Sequence, residues 1–182
     1  MTSFYTEKEL TELGLKRFGK DVLISRKCSI YLPNKISIGD NVRIDDFCIL
    51  SGEITFGSYV HIAAYCALYG AFGIEMEDYT GLSPRCTVFS ATDDFSGDYL
   101  ISPMVDESKT HVTGGKVLIQ KYSQIGAGCI ILPSVTIKEG CAVGAMSLIN
   151  KNLEEWRIYA GIPTRRIKDR KKRLLVLLKN IN

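Results

Sequence analysis

A large apolar residue returns every sixth position along most of this chain. It falls at Ile38, Ile44, Leu50, Phe56, Ile62 and Leu68, then, after a slip of two, at Met76, Leu82 and Val88. A break of about thirty residues follows, and the period resumes at Ile119, Ile125, Ile131, Ile137, Val143 and Ile149. Upstream, Ile24 and Ile30 share the frame, with another two-residue slip before Ile38. Neither the 3.6-residue period of a helix nor the alternation of a half-buried strand produces this spacing. A short-period β-solenoid does, because each hexad forms one side of a coil and its large apolar residue points inward. Three hexads make a coil, so residues eighteen apart stack at the ~4.8 Å spacing of neighbouring strands.

The fifth place of each hexad forms a second column: Cys28, Val42, Cys48, Ile54, Val60, Cys66, Cys86, Ser123, Cys129, Val135, Cys141 and Ser147. All six cysteines of the chain lie in it. An even count can signal disulfides or metal ligands, but no Cys-x-x-Cys pair exists and only two histidines are present, so no metal site is expected. Small apolar residues suit a crowded corner, and a free thiol behaves as one. The cysteines are therefore expected to be reduced core residues. With 182 residues one domain is expected. The net charge of +3 is too small to suggest nucleic acid as the main partner. No apolar run approaches the ~20 residues of a membrane span, and no secretory signal opens the chain. A cytoplasmic, soluble protein is the expectation.

The ends and the break depart from the period. Residues 1–19 read as a helical cap: a helix over 6–17 opens with the capping box Thr6-Glu7-Lys8-Glu9, and Leu10 and Leu13 face the first coil. Residues 20–163 form the β-helix domain, and 164–182 read as a C-terminal helix carrying the apolar run Leu174–Leu178. That tail holds eight basic residues and one acid, a net +7, against 15 basic and 19 acidic residues, a net −4, in the remainder. It suits either a local anionic ligand or a solvated amphipathic helix. The excursion from about 90 to 116 contains Asp93, Asp94, Ser96, Asp98, Asp106, Glu107 and His111. Loops of such length are commonly functional.

The units Ile38-Gly39-Asp40-Asn41-Val42 and Ile125-Gly126-Ala127-Gly128-Cys129, with the later Ala160-Gly161-Ile162-Pro163-Thr164-Arg165, resemble the hexapeptide-repeat acyltransferases over roughly residues 20–168. The resemblance implies a mainly β fold, a left-handed parallel β-helix, assembled as a homotrimer and using an acyl-coenzyme A thioester as donor. Sugar O-acetyltransferases of this kind carry a histidine where the chain enters the long loop. Here the stretch is Ser90-Ala91-Thr92-Asp93-Asp94. A sugar hydroxyl needs a base, a service worth ~10²–10⁴ in rate, whereas a neutral amine attacks a thioester directly. The missing imidazole thus favours N-acylation over O-acetylation of a galactoside, maltose or O-antigen sugar. The stretches Asn41–Gly52, His61–Gly70 and Ala91–Gly97 are similar to dTDP-4-amino-4,6-dideoxyglucose N-acyltransferases, which implies a nucleotide-linked amino sugar of surface glycans as acceptor.

Individual residues carry paired readings. Asp93 and Asp94 orient the amine or take its proton, or else cap a turn. His61 reaches a subunit groove as a catalytic group, or is a surface residue. Ser83 and Arg85 bind substrate hydroxyl or phosphate oxygens, or serve the turn at Pro84. His111, in a polar loop, is not expected to be catalytic. The resemblance implies that backbone groups at Ala127 and Ala145, one coil apart, hold the pantetheine, that Asn150 and Lys151 lie near the nucleotide, and that Arg165 and Lys168 hold coenzyme phosphates. Arg170, Lys171, Lys172 and Arg173 are left to a solvated helix. Transfer is expected to be direct, without an acyl-enzyme. Two rivals are γ-type carbonic anhydrases, which share the β-helix but need three zinc histidines, and a non-catalytic solenoid, against which the Ala160–Arg165 motif argues.

Overall fold

The computed structural model describes residues 3–178. Six-residue spacing winds them into a three-sided parallel β-solenoid. The first face stacks Leu23–Ile24, Arg43–Ile44, His61–Ile62, Gly81–Leu82, Gln124–Ile125, Ala142–Val143 and Arg157–Ala160 in parallel. The second face stacks Ser29–Tyr31, the beginnings of Ile49–Phe56 and Ala67–Met76, then Thr87–Phe89, Ile130–Ile131 and Leu148–Ile149. The third stacks Ile36–Ile38, the ends of the same two long strands, Val117–Ile119 and Thr136–Ile137.

Sixteen of the seventeen period residues are buried in one core; Ile30 is half-buried at its margin. Every irregularity of the period occurs at one corner, between the second and third faces. Coil one takes its two extra residues in the 3₁₀ turn Pro33–Lys35. Coil three takes them in a bulge, where Gly52 pairs with Gly70 but Ile54 pairs with Ile74. Coil four sends out the whole excursion there, on an antiparallel stem of Ala91–Thr92 with Thr113–Gly114. The corner between the first two faces carries no such insertion, and its interior is a ladder of thiols. Cys28, Cys48, Cys66, Cys86 and Cys129 each donate to a carbonyl of the next coil, those of Asp45, Ala63, Ser83, Gly126 and Gly144, at 3.1–3.2 Å. All six cysteines are free. The adjacent sulfur and burial push the Cys28, Cys66 and Cys129 thiols well above the ordinary value, and burial pushes Cys141 up to about 11.

Both ends differ from expectation. The N-terminal helix α1 has its capping box but spans only Glu7–Glu12. Gly14 turns the chain at φ +74°, and Lys16 already donates to the carbonyls of Pro33 and Ile36, so residues 16 and beyond join the solenoid edge. At the other end residues 165–169 are a strand, not a helix. Arg165–Asp169 folds back antiparallel on Arg157–Ala160 and covers the last open edge. The helix α2 begins only at Leu174 and is described to Leu178; the expectation for 179–182 lies outside the described residues. Arg170 is not solvated either. Its Nη1 donates to the carbonyls of Tyr122, Gly140 and Cys141 at 2.7, 3.1 and 3.0 Å, which fastens the returning strand to two successive coils. No helix among the described residues is long and apolar enough to cross a membrane.

Candidate active site

The first face and its corner with the second carry unusually small side chains. Ala63, Gly81, Gly126, Ala127, Ala142, Gly144, Ala145 and Ala160 leave a shallow channel along the solenoid axis. The glycines are needed for closeness: a Cβ on Gly126 would lie 2.6 Å from the Ala145 nitrogen. One on Gly81 would meet the Gln124 amide oxygen at 2.9 Å. Gln124 instead lies across Gly81 and donates from Nε2 to Ser83 Oγ at 3.3 Å.

Backbone donors line this channel. At the corner between the third and first faces the chain caps its outward amides. Lys20, Asp40, Ser58, Lys121 and Glu139 N–H groups donate to side chains of Asp40, Ser58, Asp78, Glu77 and Gln120. At the channel corner the corresponding N–H groups of Asp46, Ala64, Ala127 and Ala145 have no partner among the described residues. Pro84, in the same column, has no N–H at all. A neutral donor left half-exposed is available to an amide-bearing ligand.

The two ends of the channel differ in charge. Toward the C-terminus lies the returning strand, whose Arg165 and Lys168 are exposed. Beside it Thr164 Oγ1 is buried without a hydrogen-bond partner among the described residues. Toward the N-terminus stands His61, whose Nε2 lies 2.8 Å from Asp45 Oδ2, while Arg43 Nε donates to Oδ1 at 2.7 Å. Partial burial works to raise the Asp45 carboxyl, but the hydrogen bonds from His61 and Arg43 outweigh it and hold it below the ordinary carboxylate range. Asp45 is thus an ionised acceptor. Sequence reading missed Asp45, Arg43 and Gln124; an eighteen-residue coil laid over the text places 43 beside 61 and 45 beside 63.

His61, Ser83, Ala127 and Ala145 are therefore brought to one channel. Arg85 sits at its rim, in a left-handed corner conformation (φ +65°) with its guanidinium 5.9 Å from the Tyr65 ring centre. Asn150 and Lys151 follow the last second-face strand and are exposed. Asp93 and Asp94 lie across the second face at the loop stem, and among the described residues no hydrogen bond joins them to His61, Ser83 or Arg85. Asp94 is a turn cap: its Oδ2 accepts from Ser96 N, Ser96 Oγ and Gly97 N at 3.0, 2.7 and 3.1 Å. Those bonds, the Ser96 hydroxyl first, hold its carboxyl below the ordinary range. Asp93 is exposed and lines a cavity of about 350 Å³ with Phe89, Ala91, Thr92, Phe95, Leu132 and Pro133. His111 stacks on Tyr99 at 4.9 Å. Among the described residues no group of three or more His, Cys, Asp or Glu side chains is placed to hold a metal.

No family model matches the chain. It is 40% identical over 178 residues to the dTDP-4-amino-4,6-dideoxy-D-glucose acyltransferase of Escherichia coli, covering 96% of this chain and 93% of that protein. Its structure is similar to that of AntD, an N-acyltransferase from Bacillus cereus solved with dTDP and coenzyme A. The TM-score is 0.96 and the identity 52%, over 100% of this chain and 97% of the other. AntD has also been solved with dTDP and 3-hydroxybutyryl-coenzyme A, and as variants at a serine and an aspartate ten positions apart. A maltose O-acetyltransferase of Clostridium difficile, at 24% identity and a TM-score of 0.56 over 91% of this chain and 75% of the other, shares the fold.

Proposed function

The chain belongs to the hexapeptide-repeat acyltransferases, and on that premise we propose that the first-face channel is where it joins a coenzyme A thioester to a dTDP-linked amino sugar. The enzyme is an acyl-coenzyme A-dependent N-acyltransferase of a nucleotide-linked amino sugar. The observation that carries the siting is the run of bare amides between small residues, closed at one end by a basic strand. In this reading the phosphates sit at Arg165 and Lys168, where charge attracts them. The pantetheine amides pair with the N–H groups of Ala127 and Ala145, which stand one coil apart. Asn150 and Lys151 flank the coenzyme's nucleotide. The thioester then reaches Pro84, the one place in the column where no donor faces it.

Chemistry at that point needs little from the protein. The neutral amine attacks the thioester carbonyl, and the C–S bond of the resulting tetrahedral intermediate breaks. The thiolate leaves as coenzyme A after taking the proton that the new amide nitrogen loses. Ser83 and Arg85 hold hydroxyl and phosphate oxygens of the acceptor, and Asp93 receives its amine. Ser83 and Asp93 are ten positions apart, the spacing of the serine and aspartate altered in AntD. No cysteine serves as nucleophile, since five of the six point into the core and Cys28 donates inward to a carbonyl.

The working unit in this reading is a homotrimer in the cytoplasm. In its favour, the outward side of the second face is apolar and partly exposed, with Tyr69 stacked on Phe89 and Ile130 on the coil after them, opposite Thr87. Released thiol, measured with matched 4-amino and 4-hydroxy dTDP-sugars and a panel of acyl-coenzyme A donors, tests the function. Turnover is expected with the amino sugar alone. Turnover confined to the hydroxy sugar overturns it.

A further inference from the structure

After the returning strand the chain leaves the channel and runs back down the corner between the third and first faces. Arg170 N donates to the Trp156 carbonyl at 2.8 Å, and the outward side of this corner is a ladder of rings. Tyr59 stacks on Tyr79 at 4.6 Å between ring centres, Tyr79 on Tyr122 at 5.7 Å, and Tyr122 leans on Trp156 at 6.2 Å. Leu174, Leu177 and Leu178 of α2 meet the ladder across a cavity of about 230 Å³, shared with Tyr79, Tyr122 and Arg170. That contact uses only part of the helix. All five of its residues are Leu or Val, so it has no polar side to give to water, yet Val176 and Leu177 stand 61% and 56% exposed. Tyr59, farther along the ladder, is 45% exposed. Three exposed cations precede the helix. Lys172 lies over the Trp156 ring at 5.0 Å, while Lys171 and Arg173 have no side-chain partner among the described residues.

We infer that α2 and the cations before it form a docking surface for an anionic lipid bilayer, on which the enzyme rests peripherally. Charge selects the occupant. The chain from residue 164 carries a net +7 and the remainder a net −4, so the surface that draws this end is negative. Among the neighbouring acids, Asp78 is paired with Lys121 and Glu77 accepts from the Lys121 N–H, which leaves Lys171 and Arg173 uncompensated. Two copies docked helix to helix would set these cations against each other. A nucleic acid would answer the charge and leave Val176 and Leu177 in water. A bilayer answers both, because the aliphatic side chains enter its boundary while Lys171 and Arg173 stay with the lipid phosphates. The Tyr59 ring suits the depth between the two. Neither Arg165 nor Lys168 is needed for this contact, and the channel lies at the other edge of the first face.

The test is co-sedimentation of the full chain with vesicles of phosphatidylcholine, alone or mixed with phosphatidylglycerol. The native protein is expected to bind the mixed vesicles about 25-fold more tightly than the neutral ones, about fivefold for each of Lys171 and Arg173. Added salt should release it. Lys171→Glu with Arg173→Glu should abolish that preference. Val176→Ser with Leu177→Ser, which keeps every charge, should weaken binding to the mixed vesicles about tenfold or more. Excess coenzyme A should leave the bound fraction unchanged. No binding of the native protein to either vesicle, equal binding to both, or native-like binding by either variant would overturn the inference. Release by coenzyme A would overturn it too, by moving the contact to Arg165 and Lys168. Sedimentation velocity tests the rival occupant: fewer subunits in the serine variant than in the native protein would make this surface a contact between copies and end the lipid reading.

Discussion

Arg170 joins the returning strand to the solenoid, and its removal should be felt in stability and, if the coenzyme phosphates sit at Arg165 and Lys168 as proposed, in donor affinity. Its Nη1 meets three carbonyls on two successive levels of the corner, that of Tyr122 on one and those of Gly140 and Cys141 on the next. One nitrogen has two hydrogens, so two of the contacts are full bonds at any instant. Hydrogen bonds to a charged group are worth about 1.5–3 kcal/mol each. Because the group is only half-buried the lower end applies, and Arg170→Ala should cost about 3 kcal/mol. For a chain of this size that is ~6–12 °C in Tm. Burial weakens the guanidinium's hold on its proton, which fits a charge withdrawn from water. The returning strand carries Arg165 and Lys168, so loosening its far end should also raise KM for the acyl donor with little change in kcat. Arg173→Ala, whose exposed side chain makes none of these contacts, is the control. Thermal unfolding at fixed protein concentration and steady-state thiol release supply the two readouts. A Tm within ~2 °C of native for Arg170→Ala would refute the clamp.

Four further outcomes are expected. Ala145→Pro, which deletes one bare donor at a position where Pro84 shows proline to be tolerated, should raise donor KM about fivefold, the value of one neutral hydrogen bond, while the melting curve stays near native. Single Cys→Ala variants at all six positions should keep turning over, with no acyl-cysteine detectable by mass spectrometry, and thiol reagents should label the native cysteines only on unfolding. Asp93→Asn should lower kcat without loss of order in the loop, whereas Asp94→Ala should increase proteolysis between residues 95 and 112, because it removes the acceptor of three turn-closing bonds. The Glu9 carboxyl is lowered from 4.5 to about 2, chiefly by the Arg26 guanidinium and then by Thr6. Its contribution to the N-terminal cap is present above pH 4.5 and is lost as pH falls toward 2. Amide exchange in α1 should speed up across that window, and Glu9→Gln should remove the dependence.

The repeat was legible because burial in a solenoid is decided locally. Each hexad must turn one large apolar residue inward wherever its coil sits, so Ile38 and Ile149 read alike without knowledge of their neighbours. The same holds for the cysteine column, since a corner that crowds the backbone selects small side chains at every level. Even the breaks were readable as breaks. That all of them fall at one corner was not, because it takes the stacking of coils to align Pro33–Lys35 with the bulge after Gly70 and the excursion after Ser90.

Helix and strand were confused at the C-terminus for a related reason. The tail Thr164–Asp169 is basic and lacks a strong period, and what makes it a strand is the unpaired edge of Arg157–Ala160, which supplies hydrogen bonds its composition does not announce. Arg170 was consigned to solvent because its three acceptors lie 29, 30 and 48 residues away. Asp45 was overlooked beside His61 because the two are 16 residues apart in the chain. By itself, the sequence determined the period, the core, the reduced thiols and the family. Tertiary structure decided which amides stay bare, which acids are occupied and which way the imidazole faces, because each depends on a partner supplied by another coil.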